Sequence, residues 1–286
     1  MKELYYEPHL ERWRKQFGFD VPGHIVSPHN EAFLEERAKH DHALAVWDPL
    51  FQITARATLQ APAKLKSRDA RIFLQYGVGR RVTDMFEAYR AIILTAHEGR
   101  KKPLRNEEQQ AFSRDLNAFY INLRGILDNL AFCFLHERQP DQRQNLRDTD
   151  VGLFSVKFRK VVTAFSEIEP RISVHDQWNR DIKSRRDPAA HRIPLYLPPS
   201  LVTAQEAERA QQILLARDES IRSGRLEEAS GLFDQAMGLG RFFPYFLHHP
   251  DDGPIPIYPT IPNDVAHLVE IANSVMDNLL STQSSL

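Results

Sequence analysis

The sequence predicts an all-α protein: an up-and-down helical bundle with a C-terminal helical layer and a few short extended segments. Three observations carry that prediction. Apolar residues recur at helical spacing along most of the chain, most clearly from Asn106 to His136, where Phe112, Leu116, Phe119, Tyr120, Leu123, Leu127, Leu130 and Phe134 form one broad stripe. Residues suited to helix caps, Asn30, Ser67, Ser173 and Asn263, stand directly before such stretches. The β-like runs are short and carry proline, which confines them to sheet edges.

Composition sets the outer bounds. A chain of 286 residues with 42% hydrophobic and 26% charged content can bury a sizeable core as an ordinary soluble protein of one or two domains. The reading divides it into an N-terminal arm (1–29), a bundle (30–199) and a C-terminal helical extension (200–286) packed on that bundle. The formal net charge of −1 excludes a global basic field, so any nucleic-acid contact must be local. Cys133 is the single cysteine, which excludes an internal disulfide framework and a cysteine-rich metal site and fits a reducing cytoplasm. Met1 to Gln16 contains no apolar signal-type run, and no window approaches 18 consecutive apolar residues, so neither secretion nor a membrane span is expected.

In chain order, Tyr5 to Phe17 reads as a short arm helix, and Gly18 to Pro28 as a loop. Asn30 opens a helix with Phe33, Leu34, Leu44 and Trp47, which Asp48-Pro49 restarts or kinks through to about Gln60. Ala61 to Lys66 reads as a turn, after which Ser67 caps a helix carrying Ile72, Phe73, Tyr76, Met85, Phe86, Tyr89, Ile92 and Ile93, interrupted by Gly77 and Gly79. Gly99 to Asn106 is a basic loop whose cations suit a helix C-terminus better than a ligand. The strongest helix follows, to His136. Beside its apolar stripe stand Arg124 and Asp128, four apart and therefore neighbours on one face. Either they form a solvated ion pair, or they are partly buried and Asp128 takes Arg186 or His191 as a further partner.

Gln139 to Gly152 reads as a polar loop. Phe154 begins a shorter helix that Glu169-Pro170 ends, and Ser173 caps a helix with Trp178 and Ile182 that delivers Arg185 and Arg186 in its last turn. Pro188 disfavours helical geometry at Asp187, so a change of direction is expected between Arg186 and His191, able to bring both side chains to one point. The blander alternative is a helix end with cations over its free carbonyls. Arg37 and His42 share the same spacing but lie in a continuous helical pattern. Ile193 to Pro199, Phe243 to Leu247 and Ile255 to Pro259 are extended runs, two or three of which could pair as a ribbon. Leu201 to Ile221 and Leu226 to Met237 read as a helical hairpin turning at Ser223-Gly224, and Asn263 caps a final helix with Val265, Leu268, Ile271, Val275 and Leu279. No Gly-rich phosphate loop, His-Glu-x-x-His or Gly-x-Ser-x-Gly is present. His248 to Asp252 reads as a polar turn, so no metal and no cofactor is expected.

The stretch Arg185 to Arg192, with Asp187 directly after Arg186 and His191 five positions beyond that Arg, resembles the Arg-(polar)-x3-His signature of the HEPN superfamily. The resemblance spans the middle third of the chain. It implies an all-α homodimer that cleaves RNA without metal, in a toxin or phage-defence setting. Arg186, His191 and Asp187 would be catalytic, Asp128 and Arg124 supporting, and Arg185 and Arg192 on the RNA. The residue types suit the task. Arginine's planar fork matches phosphate, and histidine, with an unperturbed pKa of about 6.5, holds both protonation states near neutrality. A second His would come from the partner subunit. The chain departs from the pattern where Ile193-Pro194 replaces a longer helix, and a non-catalytic helical interaction protein is the competing expectation.

Overall fold

A computed structural model describes residues 46–97, 100–191, 194–248 and 253–281, and the fold is all-α with one two-stranded ribbon among these residues. The expected arm, the Asn30 cap and the Arg37/His42 pair lie outside them. Helix α1 covers 46–64 and continues through Pro49; it includes a wide π turn at Arg56–Gln60 and ends in Ala61–Lys64. The expected turn therefore shrinks to Leu65–Ser67. Helix α2 covers 68–95 and is capped as expected by the Ser67 hydroxyl, which accepts from Ala70 N at 3.2 Å. Its glycines do not interrupt it. The backbone widens into a π turn at Phe73–Val78, and Gly77 sits where a Cβ would come within 2.6 Å of the Asn129 side chain on the next helix.

Helix α3, Asn106–Arg138, lies at the centre. Its predicted stripe, with Ile126, Ala131, Cys133 and Leu135 added, is buried, with α2 packed on one side of the helix and α6 and α9 on the other. By length and composition it could cross a membrane, but over half of its apolar window is buried inside the bundle. Burying a Leu or Phe side chain contributes about 1.5–3 kcal/mol, so the buried stripe of α3 is a major source of the fold's stability.

Beyond α3, 3₁₀ turns at Pro140–Asn145 and Asp148–Asp150 lead to α4, Val156–Val161. After a further 3₁₀ turn, Pro170 begins the short α5, Glu169–Ser173, rather than ending a helix; a residue without an N–H fits a first helical turn. Helix α6 is Asp176–His191. The last helix, α9 (Ile257–Ser281), turns sharply at the extended Tyr258 and then carries Val265, Leu268, Ile271, Val275 and Leu279 into the same core as α1 to α6. Asn263 lies inside α9, because Pro259 and Pro262 already occupy the first turns.

The proline-bearing runs do meet. Strand β1 (Tyr245–Phe246) pairs antiparallel with β2 (Ile255–Pro256), and Tyr196 bridges to Leu247 on the other side. Between them the chain makes an excursion, α7 (Ala204–Arg222) and α8 (Leu226–Met237), which turns at Gly224 with φ 73° and packs chiefly on itself. The backbones of Leu201 and Arg241 exchange hydrogen bonds of 2.8 and 2.9 Å at its neck.

Candidate functional site

Helix α6 lies along α3, and the loop from Asp148 to Ser155 closes over both, leaving an open cleft of about 1050 Å³. The loop is held by its own short-range chemistry. Asp150 accepts from the Arg147 backbone and side chain and from Lys157 Nζ, and Ser155 caps α4 by accepting from Phe158 N. Those cations hold the Asp150 carboxyl well below the usual range.

Four cations line the cleft, Arg124, Arg180, Lys183 and Arg186, against three carboxylates, Asp128, Asp148 and Asp187. That local excess of one positive charge contrasts with the −1 of the whole chain. Arg124 donates to Asn179 Oδ1 at 2.6 Å and lies 3.2 Å from Asp128 Oδ1, so it ties α3 to α6 at the cleft floor. Arg186 donates to Asp187 Oδ1 at 3.2 Å, while its Nε is shielded from solvent and has no hydrogen-bond partner among the described residues. A buried donor left unmade costs free energy, while the rest of the Arg186 side chain, 31% exposed, is open to the cleft.

Asp128 occupies a distinct environment. Burial pushes its carboxyl above the ordinary aspartate range, and Asp187 adds to the push; Arg124, Arg186 and Arg81 oppose it without cancelling it. Gly125 permits the approach from α2, since a Cβ there would lie 2.6 Å from the Arg81 guanidinium.

The expected residues are thus partly assembled. Arg124, Asp128, Arg186 and Asp187 share one cleft. Arg185, expected to contact RNA, is turned inward instead: its Nη1 lies 2.7 Å from Asp264 Oδ2 on α9. The same carboxylate accepts from Tyr120 Oη and Trp178 Nε1, each at 2.9 Å. Burial pushes the Asp264 carboxyl up, and Arg185 with the two neutral donors opposes this. Nor does the chain change direction after Asp187. Helix α6 continues through Pro188 to His191, because a proline in the last turn removes one backbone hydrogen bond and leaves the preceding turns intact. On a continuous helix, positions five apart stand about 140° apart around the axis, so the backbone of one chain does not direct 186 and 191 to a common point. Arg192 lies outside the described residues.

Sequence reasoning missed Arg180, Lys183 and the Asp148–Ser155 loop. Lys183 was within reach, because a residue three before Arg186 is its neighbour on the helix surface. Beside the inward cluster around Asp264 stand the buried His175 and the half-buried His267, whose Nδ1 atoms are 2.9 Å apart. Comparisons with protein-family models, curated proteins and solved structures find no match to this chain.

Proposed function

We propose that the chain is a metal-independent endoribonuclease that holds an RNA phosphodiester in the α3–α6 cleft. The observation that carries this reading is Arg186: its partly exposed guanidinium lines an open cleft that also presents Arg124, Arg180 and Lys183. Such an arrangement suits a phosphoryl group, whose oxygens accept several charge-assisted hydrogen bonds at once. In the reaction, a 2′-hydroxyl attacks the adjacent phosphorus, Arg186 stabilises the charge that develops on the phosphoryl oxygens, and His191 takes the attacking proton. The register of α6 favours His191 arriving from a second copy across a two-fold axis, in keeping with the resemblance to HEPN proteins. Incubation with single-stranded RNA in excess chelator tests the reading. Cleavage by the wild type and its loss in Arg186→Ala and His191→Ala are expected; no cleavage, or equal cleavage by the variants, overturns it.

A second reading, a helical interaction protein without catalysis, is favoured by the self-packed α7–α8 hairpin, which exposes Leu215, Ile221 and Leu226 to solvent. Under it, the chain leaves RNA intact and its Arg186→Ala variant differs from the wild type only in local stability.

A further inference from the structure

Two aromatic rings reach the α3–α6 cleft, Phe132 from α3 and Phe154 from the loop that closes over it. Phe132 is already stacked: the Phe73 ring lies nearly parallel to it at 4.7 Å, and the Arg143 guanidinium stands 5.7 Å from its centre. Phe154 is placed differently. Val151 and Leu153, just before it, are buried, whereas Phe154 is half-buried and forms part of the cleft wall. The Arg159 guanidinium, 5.5 Å from the ring centre, backs one face, and two hydrogen bonds to Asp176, of 2.8 and 3.2 Å, hold that guanidinium in place. Among the described residues no other ring and no second cation stands over Phe154.

The backbone beneath the ring is pinned. Ser155 N donates to the Gly152 carbonyl oxygen at 2.9 Å, and Arg159 Nε donates to the Leu153 carbonyl oxygen at 2.8 Å. Gly152 brings the loop against α3, since a Cβ there would stand 3.8 Å from Arg124 Nη2. The cleft thus sets an aromatic ring, held from behind, beside cations suited to phosphate. We infer that Phe154 is the seat of an unpaired nucleobase, which stacks on the ring while Arg124, Arg180, Lys183 and Arg186 hold the adjoining phosphates. The inference rests on the ribonuclease reading above and adds that the substrate presents a free base. A paired base is already stacked on its neighbours, whereas an unpaired one has a face to offer. Every base has such a face, so the contact selects strandedness and register rather than sequence.

The test uses the full-length protein and two 2′-O-methyl oligonucleotides of equal length and charge, one with bases and one abasic throughout, in fluorescence anisotropy at fixed salt. The wild type should bind the strand with bases about 5- to 150-fold more tightly, the range of one base–aromatic stack. Phe154→Leu, which retains apolar packing, should bring the ratio of the two affinities close to one, and Phe154→Tyr should keep it. A measurement on the wild type alone needs no variant to fold: irradiation with a strand carrying 5-iodouracil, which couples to a ring stacked on it, should place the crosslink on Phe154. Equal binding of the two strands by the wild type, a wild-type ratio in Phe154→Leu, or a crosslink absent from Phe154 overturns the inference and leaves the ribonuclease reading in place. A wild type that binds neither strand instead removes the RNA reading of the cleft, and the inference with it.

Discussion

Arg185 Nη1 lies 2.7 Å from Asp264 Oδ2 inside the bundle, although the next residue, Arg186, lines the open cleft. One step of about 100° around α6 separates a structural cation from one available to a ligand. Removing either partner of a buried pair leaves a charge without compensation, so Arg185→Ala and Asp264→Ala should each destabilise the fold by about 3–5 kcal/mol. Chemical denaturation of the two single variants and the double variant checks this: the double should cost clearly less than the sum.

The same division predicts how RNA binding responds to salt. Lys183→Ala should lower the slope of log affinity against log salt concentration by about one, whereas Asp148→Ala, which removes an opposing charge at the cleft rim, should tighten binding. Fluorescence anisotropy with a non-cleavable 2′-O-methyl oligonucleotide across a salt series would reveal both effects.

For Asp128 the folded protein holds the carboxyl proton more tightly than the unfolded chain does. Stability contributed by that proton is present below the ordinary aspartate range and is lost as pH rises through the elevated pKa. Asp128→Asn should therefore be more stable than the wild type near neutrality, with the difference shrinking towards acid pH. Thermal melts of both proteins at a series of pH values measure it.

Gly240 adopts φ 85°, and a Cβ there would stand 2.4 Å from the Leu201 carbonyl oxygen. Backbone cannot yield as a side-chain tip can, so Gly240→Ala should cost more than about 1 kcal/mol. Gly231, with open space around it, provides the control: Gly231→Ala lies within a helix and should stabilise slightly, and urea midpoints of the two variants should move in opposite directions.

How much was legible in the sequence follows from the range of the forces concerned. The α3 stripe, the Ser67 cap, the Ser223-Gly224 turn and the apolar face of α9 are set by residues a few positions apart, and each appears where expected. The site was legible where it depended on helix register, as with Arg124 and Asp128. It was hidden where it depended on distant partners: nothing near Arg185 announces Asp264, 79 positions away, or the indole and phenol that share its carboxylate. Local rules also misjudged Pro188. Expected to turn the chain after Arg186, it stands instead in the final turn of α6, with little left to disrupt.

The Leu201–Arg241 clasp bears on how the polypeptide could have been assembled. Because the two strands meet there backbone to backbone, the path entering α7 and the path leaving α8 are already side by side, and the extended run before residue 201 could pass to the run after 241 across a tight loop. The hairpin is in this sense an insertion with a sealed seam. Excising it and rejoining the seam should leave α3, α6 and their cleft standing, and the same seam is a natural place to graft a foreign module.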